Sequence, residues 1–339
     1  MPFRPERVAL IVIVAVLLLV LPVFLPSYIQ HMLILVAMYA YLATAWNILG
    51  GYAGQLSLGH ALFIGSGAYT STLLLRTLKL SPWLGMLCGA VIATLLGLFI
   101  GYLSFRYRLK GPFFALITLA FAQIFVFVVA NTREIGGAGG LMVPLEHNSF
   151  FDYQFTDKLP YYYIALALLA LAIGLTWWLR QSKTGFYFLS IRENEDAAQA
   201  LGINLMKYKL MATAISTSLS ALGGTFYAQY VLFIDPPSVL SPGLSLEVII
   251  YSVVGGMGTI FGPLLGTVVL VPVSEAIRAI VGQSGISGAH LIVYGAFLIV
   301  MMLFLPDGLM GLVRRLISAR HRPMAVRPLV AQGSEEAKP

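Results

Sequence analysis

Long apolar runs separated by short polar breaks make up most of the sequence between residues 8 and 305. Each run is continuous and about 20 residues long, which is the length that an α-helix needs to cross a bilayer. Strands of a membrane barrel are about ten residues long and alternate in polarity. The pattern therefore predicts an all-α, polytopic helical membrane protein with about eight full spans. These spans are predicted at residues 8–25, 29–49, 60–75, 82–105, 111–130, 161–179, 211–233 and 291–305.

The stretch from Ser245 to Ile280 is too long for a single span and is interrupted by glycines. The loop near Pro236 is predicted outside and the basic tail inside, so the chain between them must cross an odd number of times. We interpret the stretch as two short re-entrant segments, which gives about 8–10 crossings in total. Its glycines suit a hinge and tight helix packing equally well. The candidate hinge residues are Gly255, Gly256, Gly258 and Gly262.

Composition and charge agree with a membrane location. Of 339 residues, 59% are hydrophobic and only 10% are charged, whereas a soluble domain is roughly 25% charged. The formal net charge is +7, and the basic residues lie at the ends of apolar runs and in the tail. This distribution is typical of cytoplasmic anchoring, with both termini inside, and not of nucleic-acid binding. We interpret residues 1–317 as one transmembrane domain and residues 318–339 as a disordered cytoplasmic tail.

Residues 181–209 form the longest polar interruption that carries a helix signal of its own. Ser190 and Glu193 have the spacing of a capping box, which predicts that a helix begins at Ile191. Gly202 is well placed to end this helix in a left-handed conformation. The basic residues of the segment predict that it lies in the cytoplasm.

This predicted helix has features that favour docking against a partner. Acidic residues near its first turn suit the helix dipole; they are Glu193, Glu195 and Asp196. A small apolar patch follows, formed by Ala197, Ala198 and Leu201. A helix of about three turns is marginally stable alone in water. We therefore expect it to gain stability by packing against another surface.

Polar side chains within or near the spans are few. The candidates for a translocation path are Gln55, Ser57, His60, Gln123 and Glu247. Interhelical hydrogen bonding is the alternative role, and for His60 it is the favoured one. Glu247 is the costliest of the five to bury. Its closeness to Pro242 makes a position at the membrane interface as compatible with the sequence as a position in a path.

The sequence gives no catalytic, metal-binding or nucleotide-binding signature. Ser66 lies in I-G-S-G, where Ile64 takes the place of the first glycine that intramembrane serine proteases require. The five histidines are scattered and there is one cysteine, so no metal pattern exists. The phosphate-binding motif G-x-x-x-x-G-K-[ST] is missing. We expect a protein that is not an enzyme and that binds no cofactor itself.

Four ordered segments carry a family likeness: G-Y-A-G-Q-L-S-L-G-H-A-L-F-I-G-S-G-A-Y at Gly51–Tyr69, G-P-F-F-A-L-I-T-L-A-F-A-Q-I at Gly111–Ile124, R-E-N-E-D-A-A-Q-A-L-G-I-N at Arg192–Asn204, and E-V-I-I-Y-S-V-V-G-G-M-G-T-I-F-G-P-L-L-G at Glu247–Gly266. Together they resemble the LivM-type permease of branched-chain amino acid ABC importers. The likeness extends over residues 29–312.

The resemblance implies a permease subunit in a bacterial inner membrane, surrounded by lipid. Its implied partners are a LivH-like second permease, two cytoplasmic ABC ATPase subunits that bind ATP and Mg, and a periplasmic substrate-binding protein. Leucine, isoleucine and valine are the default substrates, while urea, short amides, other amino acids and aromatic acids are handled by similar permeases. The competing hypothesis is an ion-coupled secondary transporter of small polar solutes, for which Glu247 is the sole candidate coupling carboxylate.

The resemblance also assigns a role to the polar interruption. Glu195, Ala197, Ala198 and Gly202 match the E-x-A-A-x-x-x-G signature of the loop by which ABC permeases dock on their ATPases. Asp196 stands where the first alanine is usual, which is a departure from the family pattern. The residues expected in the docking loop are Arg192, Glu193, Glu195, Asp196, Ala197, Ala198, Leu201 and Gly202.

Overall fold

The computed structural model describes residues 16–144, 149–281, 289–305 and 308–319, and these residues are almost entirely helical. The first predicted span is therefore described only in part: residues 16–20 are helical and Leu21–Phe24 form a 3-10 helix. Residues 320–339, most of the predicted tail, lie outside the described ranges. The α-helices are α1 (Ser27–Asn47), α2 (His60–Leu78), α3 (Pro82–Arg106), α4 (Pro112–Asn131), α5 (Lys158–Gln181), α6 (Lys183–Glu193), α7 (Glu195–Ala200), α8 (Leu205–Val231), α9 (Pro236–Val239), α10 (Pro242–Gly256), α11 (Gly262–Val281), α12 (Ala289–Phe304) and α13 (Gly308–Ala319).

Among the described residues, seven helical segments are long and apolar enough to cross a membrane. Helices α2 and α8 are not among the seven, because polar residues lower their hydropathy. Both are nevertheless long, and they lie in the interior with α3 packed against each of them. Several of their serines and threonines bond to backbone carbonyls, as Ser220 does to Ser216 O at 2.8 Å. Such bonds allow hydroxyl groups to be buried in an apolar environment.

Glycines bring α2, α3 and α8 into backbone contact. A Cβ on Gly67 would collide with the backbone of Ala221, and a Cβ on Gly224 would collide with the carbonyl oxygen of Ile64. A Cβ on Gly89 would lie 3.0 Å from the Cα of Gly67. Small residues allow such approaches, which are a common basis of helix association in membranes. We refer to α2, α3 and α8 as the glycine core.

Helix α1 joins this core to the rest of the molecule by packing against α5, α8, α10 and α11. A π-helix over Ile48–Tyr52 follows α1 directly, and an irregular segment then leads to α2. The hydroxyl group of Tyr41 on α1 donates to the carbonyl oxygen of Leu219 on α8 at 2.7 Å. Helix α1 is therefore buried along most of its length, in keeping with its central position.

Residues 245–280 form two segments that break at the predicted glycines, in agreement with the interpretation of the sequence. The segments are the helices α10 and α11, which pack side by side. The segments Pro236–Gly256 and Gly262–Ile280 are each long and apolar enough to span a membrane. The number of times that they cross the membrane stays a prediction.

The bundle has two distinct ends. One end carries the polar segment α6–α7, and we call it the docking end. At the opposite end, Leu141–Met142 (β1) pairs antiparallel with Phe233–Ile234 (β2). The indole of Trp83 lies there against Tyr153, with ring centroids 4.3 Å apart, and Lys158 Nζ donates to Ser27 O at 3.2 Å.

Candidate functional site

Helix α6 begins earlier than the capping box predicted. Ser182 is its N-cap, and the Ser182 hydroxyl accepts a hydrogen bond from Gly185 N at 3.2 Å. Ser190 lies within the helix, where its hydroxyl donates to Phe186 O at 2.9 Å. The predicted start at Ile191 is therefore wrong. The S-x-x-E spacing falls inside a helix that an upstream serine has already capped.

A separate short helix, α7, carries the E-x-A-A signature. Asn194 has an extended backbone (φ −160°) that separates α6 from α7, and its side-chain oxygen accepts from Ala197 N at 3.0 Å. Glu195 and Asp196 occupy the first turn, as the dipole favours. The asparagine cap was missed because the serine three residues before Glu193 was the more obvious candidate.

Gly202 ends α7 as predicted. Its φ is +84°, in the left-handed region. The amide of Gly202 donates to Gln199 O at 2.9 Å and the amide of Ile203 donates to Ala198 O at 3.1 Å. These two bonds define a Schellman motif, which satisfies the last carbonyl groups of the helix.

The apolar residues of α7 point in different directions, which corrects the single patch expected from the sequence. Ala198 is buried, whereas Ala197 is exposed and Leu201 is 82% exposed. Ala198 therefore fixes α7 to the body of the protein, together with buried Phe188 and Ile191 of α6. Leu201 presents an apolar side chain outward, so the structure leaves an apolar group available for a partner surface.

The carboxylate of Glu195 joins α7 to three other parts of the chain. It lies 2.5 Å from Lys209 Nζ on α8 and 3.8 Å from Lys110 Nζ on the α3–α4 turn. Gln55 Nε2 from the segment before α2 donates to it at 3.2 Å. Lys209 and Glu195 side chains are only 6% and 16% exposed. Burial of such an ion pair is costly unless further hydrogen bonds complete it, as Gln55 does here.

Asp196, which stands where alanine is usual in the signature, forms an ion pair. Its carboxylate accepts from Lys110 Nζ at 2.9 Å, and this bond raises the pKa of Lys110. Both side chains are exposed, so the pair contributes little to stability. It does place the α3–α4 turn beside α7. The two elements enclose an open cleft of about 480 Å³ that is lined by Arg108, Lys110, Asp196, Gln199 and Met206 among others.

Arg192, at the end of α6, contacts two glycine-rich turns. Its Nη1 donates to Gly51 O at 2.8 Å and its Nη2 bonds to the Glu193 carboxylate at 2.9 Å. Gly54 has φ +69°, and a Cβ there would lie 2.8 Å from Arg192 Cγ. A Cβ on Gly258 would collide with the Arg192 guanidinium. The structure therefore brings the segments near Gly51 and Gly258 together at Arg192.

The four candidate hinge glycines form the tight connection between α10 and α11. Gly256 and Gly258 have φ values of +122° and +73°, which favour glycine. A Cβ on Gly255 would collide with Gly262 O, and a Cβ on Gly262 would collide with Gly256 O. The structure therefore shows the turn and close-packing role of these residues. A hinge role stays a prediction.

Ser57 and His60 lie together in the interior, each with no more than 1% exposure. His60 Nε2 and the Ser216 hydroxyl on α8 are 3.0 Å apart, and the Ser216 hydroxyl donates to Ala45 O on α1 at 2.7 Å. The carbonyl of Ser57 accepts from Trp46 Nε1 at 2.9 Å. These bonds tie α1, α2 and α8 together and favour the structural role of His60.

The remaining candidate path residues are far apart in the fold. Gln55 belongs to the docking end through its bond to Glu195. Gln123 is exposed on the surface of α4. Glu247 is partly buried on α10 and interacts with Tyr39 on α1 and Arg278 on α11. A path role for the five residues stays a prediction.

Sequence reasoning assigned no specific partners to three side chains that the structure places at the docking end. Lys110 and Lys209 were counted only as positive charges, although both contact Glu195. Asn47 is fully buried at the end of α1 and bonds to the α10–α11 turn. Their partners are distant in sequence, so a single sequence held no signal for these pairings.

The seven long apolar helices of the described residues define a polytopic helical membrane protein. The chain belongs to the family of permease components of branched-chain amino acid transport systems, whose model matches residues 28–305.

Individual relatives agree with this assignment. The chain is 28% identical to the high-affinity branched-chain amino acid transport system permease protein LivM of Escherichia coli (strain K12), covering 83% of this chain and 69% of LivM. The LivM protein of Salmonella typhimurium gives 28% identity over 81% of this chain and 68% of its own length. The ribose import permease protein RbsC of Haemophilus influenzae gives 23% identity over 90% of this chain and 92% of RbsC. No solved structure matches. The resemblance to LivM-type permeases is thereby confirmed, and the family places the chain among ABC importer permeases, which work with other transporter subunits.

Proposed function

We propose that this permease imports branched-chain or related amino acids across the bacterial inner membrane, with ATP hydrolysed by two separate cytoplasmic ABC ATPases. A LivH-like permease completes the membrane part, and a periplasmic binding protein delivers the substrate. The observation that carries the proposal is α7, a short capped helix that is fixed by Ala198 and Glu195 and exposes Leu201. The basic residues around it support a cytoplasmic location.

The proposed mechanism treats α6–α7 as a lever between two long helices. Only Ser182 separates α5 from α6, and a short turn joins α7 to α8. Closure of the ATPases moves α6–α7, and this motion changes the angles of α5 and α8. The path then opens alternately to the two sides of the membrane. The packing of α6 against α5 and α8 supports this transmission.

The test is to purify the tagged chain from its native membrane and identify the subunits that accompany it. The complex is then reconstituted in vesicles, and uptake of radiolabelled leucine, isoleucine and valine is measured with and without internal ATP. We expect two ATPase subunits in the complex and uptake that requires ATP. Uptake that persists without the ATPases and follows an ion gradient would instead support the secondary transporter, with Glu247 as its coupling group.

A sugar substrate is the second candidate, because a ribose import permease aligns with 90% of this chain. An L-arabinose ABC transporter permease, AraH of Azospirillum brasilense, aligns with 78% of it at 26% identity. Competition by ribose and arabinose in the same uptake experiment separates the two substrate classes. The branched-chain proposal predicts that neither sugar competes with leucine.

A further inference from the structure

Three segments that are distant in sequence meet at one point of the docking end. Arg192 at the end of α6 donates to Gly51 O at 2.8 Å. The side-chain oxygen of Asn47 accepts from Gly258 N at 2.8 Å. A Cβ on Gly51 would lie 2.6 Å from Gly258 N, so no space separates the two turns. We call Asn47, Gly51, Arg192 and Gly258 the coupling junction.

Asn47 is fully buried. Both the nitrogen and the oxygen of its side-chain amide form hydrogen bonds with α10 or with the turn between α10 and α11. Its Nδ2 donates to Thr259 O at 2.9 Å, and its Oδ1 also accepts from the Ser252 hydroxyl at 3.3 Å. A buried amide with these bonds is expensive to disrupt. Asn47 is also the last α-helical residue before the π-helix Ile48–Tyr52. Single-turn π-helices often occur at functional sites because their backbone pairing is less regular.

We propose that Asn47 is a positioning residue that carries movement of the docking loop to the α10–α11 turn. The contact runs from Arg192 to the carbonyl of Gly51, through the π-helix to Asn47, and from the Asn47 amide to Gly258 and Thr259. Movement of α6–α7 therefore displaces the ends of α1, α10 and α11 as well as those of α5 and α8. This inference rests on the proposed function, since it names the residue that couples ATPase docking to the membrane helices.

The test compares Asn47→Ala with a matched control, Thr44→Ala. Thr44 is buried one turn earlier on the same helix, and its hydroxyl bonds to Ala40 O within that helix. Complexes are purified through a tag on the ATPase, so only assembled importer is assayed. The readout is solute transported per ATP hydrolysed in vesicles. We expect this ratio to fall about tenfold in Asn47→Ala, because loss of a buried hydrogen-bonded group is comparable with a tenfold change in an equilibrium. Thr44→Ala keeps the ratio.

A second variant changes the contact between Gly258 and Arg192 in the coupling junction. Gly258→Ala places a Cβ against the Arg192 guanidinium, at a φ of +73°. We expect its ratio to fall as well. If Asn47 and Gly258 act through the same contacts, the transport-to-ATP ratio of the double variant should be no lower than that of the more impaired single variant. Residues in contact show non-additivity of this kind. Fully additive losses would overturn the linkage.

The possible results separate this inference from the proposed function. ATP-driven uptake with an unchanged ratio in Asn47→Ala overturns the inference alone, as does an equal loss in Thr44→Ala. A lower yield of complex with an unchanged ratio assigns Asn47 a structural role only and also overturns it. Uptake by the unaltered complex without ATP would instead overturn the proposed function.

Discussion

The glycine core and the docking end are held together by different forces. In the core, α2, α3 and α8 meet through backbone at Gly67, Gly89 and Gly224, where there is no room for one more carbon atom. At the docking end, polar bonds from Gln55 and Lys209 to Glu195 add to the few buried apolar side chains that hold α6–α7. Close packing resists small displacements, whereas a polar cluster can move as a unit. The comparison suggests that motion enters at the docking end and that the core responds as a rigid body.

The largest effect is expected in the glycine core. Gly224→Val places side-chain carbons against the carbonyl of Ile64, which no side-chain rotation can relieve. We expect a loss of more than about 4 kcal/mol, the range reached by severe overpacking. Thermal unfolding of the purified protein in detergent measures it. The control is Gly174→Val on α5, where a Cβ meets no described atom within 4 Å. Equal stability of the two variants would show that the core is not tightly packed.

The next largest loss of stability is expected when a buried charge at the docking end loses its partner, and removal of an exposed charge should cost much less. Lys209→Met leaves the carboxylate of Glu195 largely buried and without its main counter-charge. We expect a destabilisation of about 3 kcal/mol, because an unpaired buried charge is costly. Lys110→Met removes an exposed lysine from the same carboxylate and from Asp196, and it should leave the melting temperature unchanged. A larger loss in Lys110→Met would reverse this ordering.

Backbone strain at Gly202 gives a smaller and more local effect. Gly202→Ala must hold a φ of +84°, which costs an L-residue about 1–2 kcal/mol. A Cβ there meets no described atom within 4 Å, so crowding contributes nothing. Gly202→Asn should recover part of the loss, since asparagine tolerates the left-handed region. Faster amide hydrogen exchange in α7 measures the strain. A bulky residue at Gly202 is further expected to uncouple ATP hydrolysis from uptake, and unchanged uptake would contradict the lever mechanism.

The sequence predicted those features that depend on local chemistry. The apolar runs located the long helices within a few residues, and Gly202 was identified as the end of α7 from its residue type alone. The glycines of residues 245–280 likewise located the break between α10 and α11. The predicted helix start was wrong because the segment contains two helices, α6 capped by Ser182 and α7 capped by Asn194. One S-x-x-E match predicts one helix start only.

The contacts of the docking end were beyond sequence reasoning for a different reason. Gln55, Lys110 and Lys209 meet Glu195 only after α2, α3 and α8 have packed. Likewise, Arg192 reaches Gly51 across 141 positions of sequence. Long-range pairings of this kind depend on the complete arrangement of helices. For His60, the interhelical bonding role that the sequence favoured agrees with its contacts, which join three helices.

The smallest effect on stability is expected where the docking end faces outward. Leu201 is 82% exposed, so Leu201→Gln should change the free energy of unfolding by less than about 0.5 kcal/mol. Its effect should appear in assembly, because an exposed apolar side chain on a fixed helix is suited to fill a pocket of the ATPase. The measurement is the amount of ATPase that co-purifies with the tagged permease. Met142→Gln, which changes an exposed apolar residue of β1 at the opposite end of the bundle, is the control. If both variants retain the ATPase equally, α7 does not use Leu201 as a contact, and the docking surface lies elsewhere on the 480 Å³ cleft beside it.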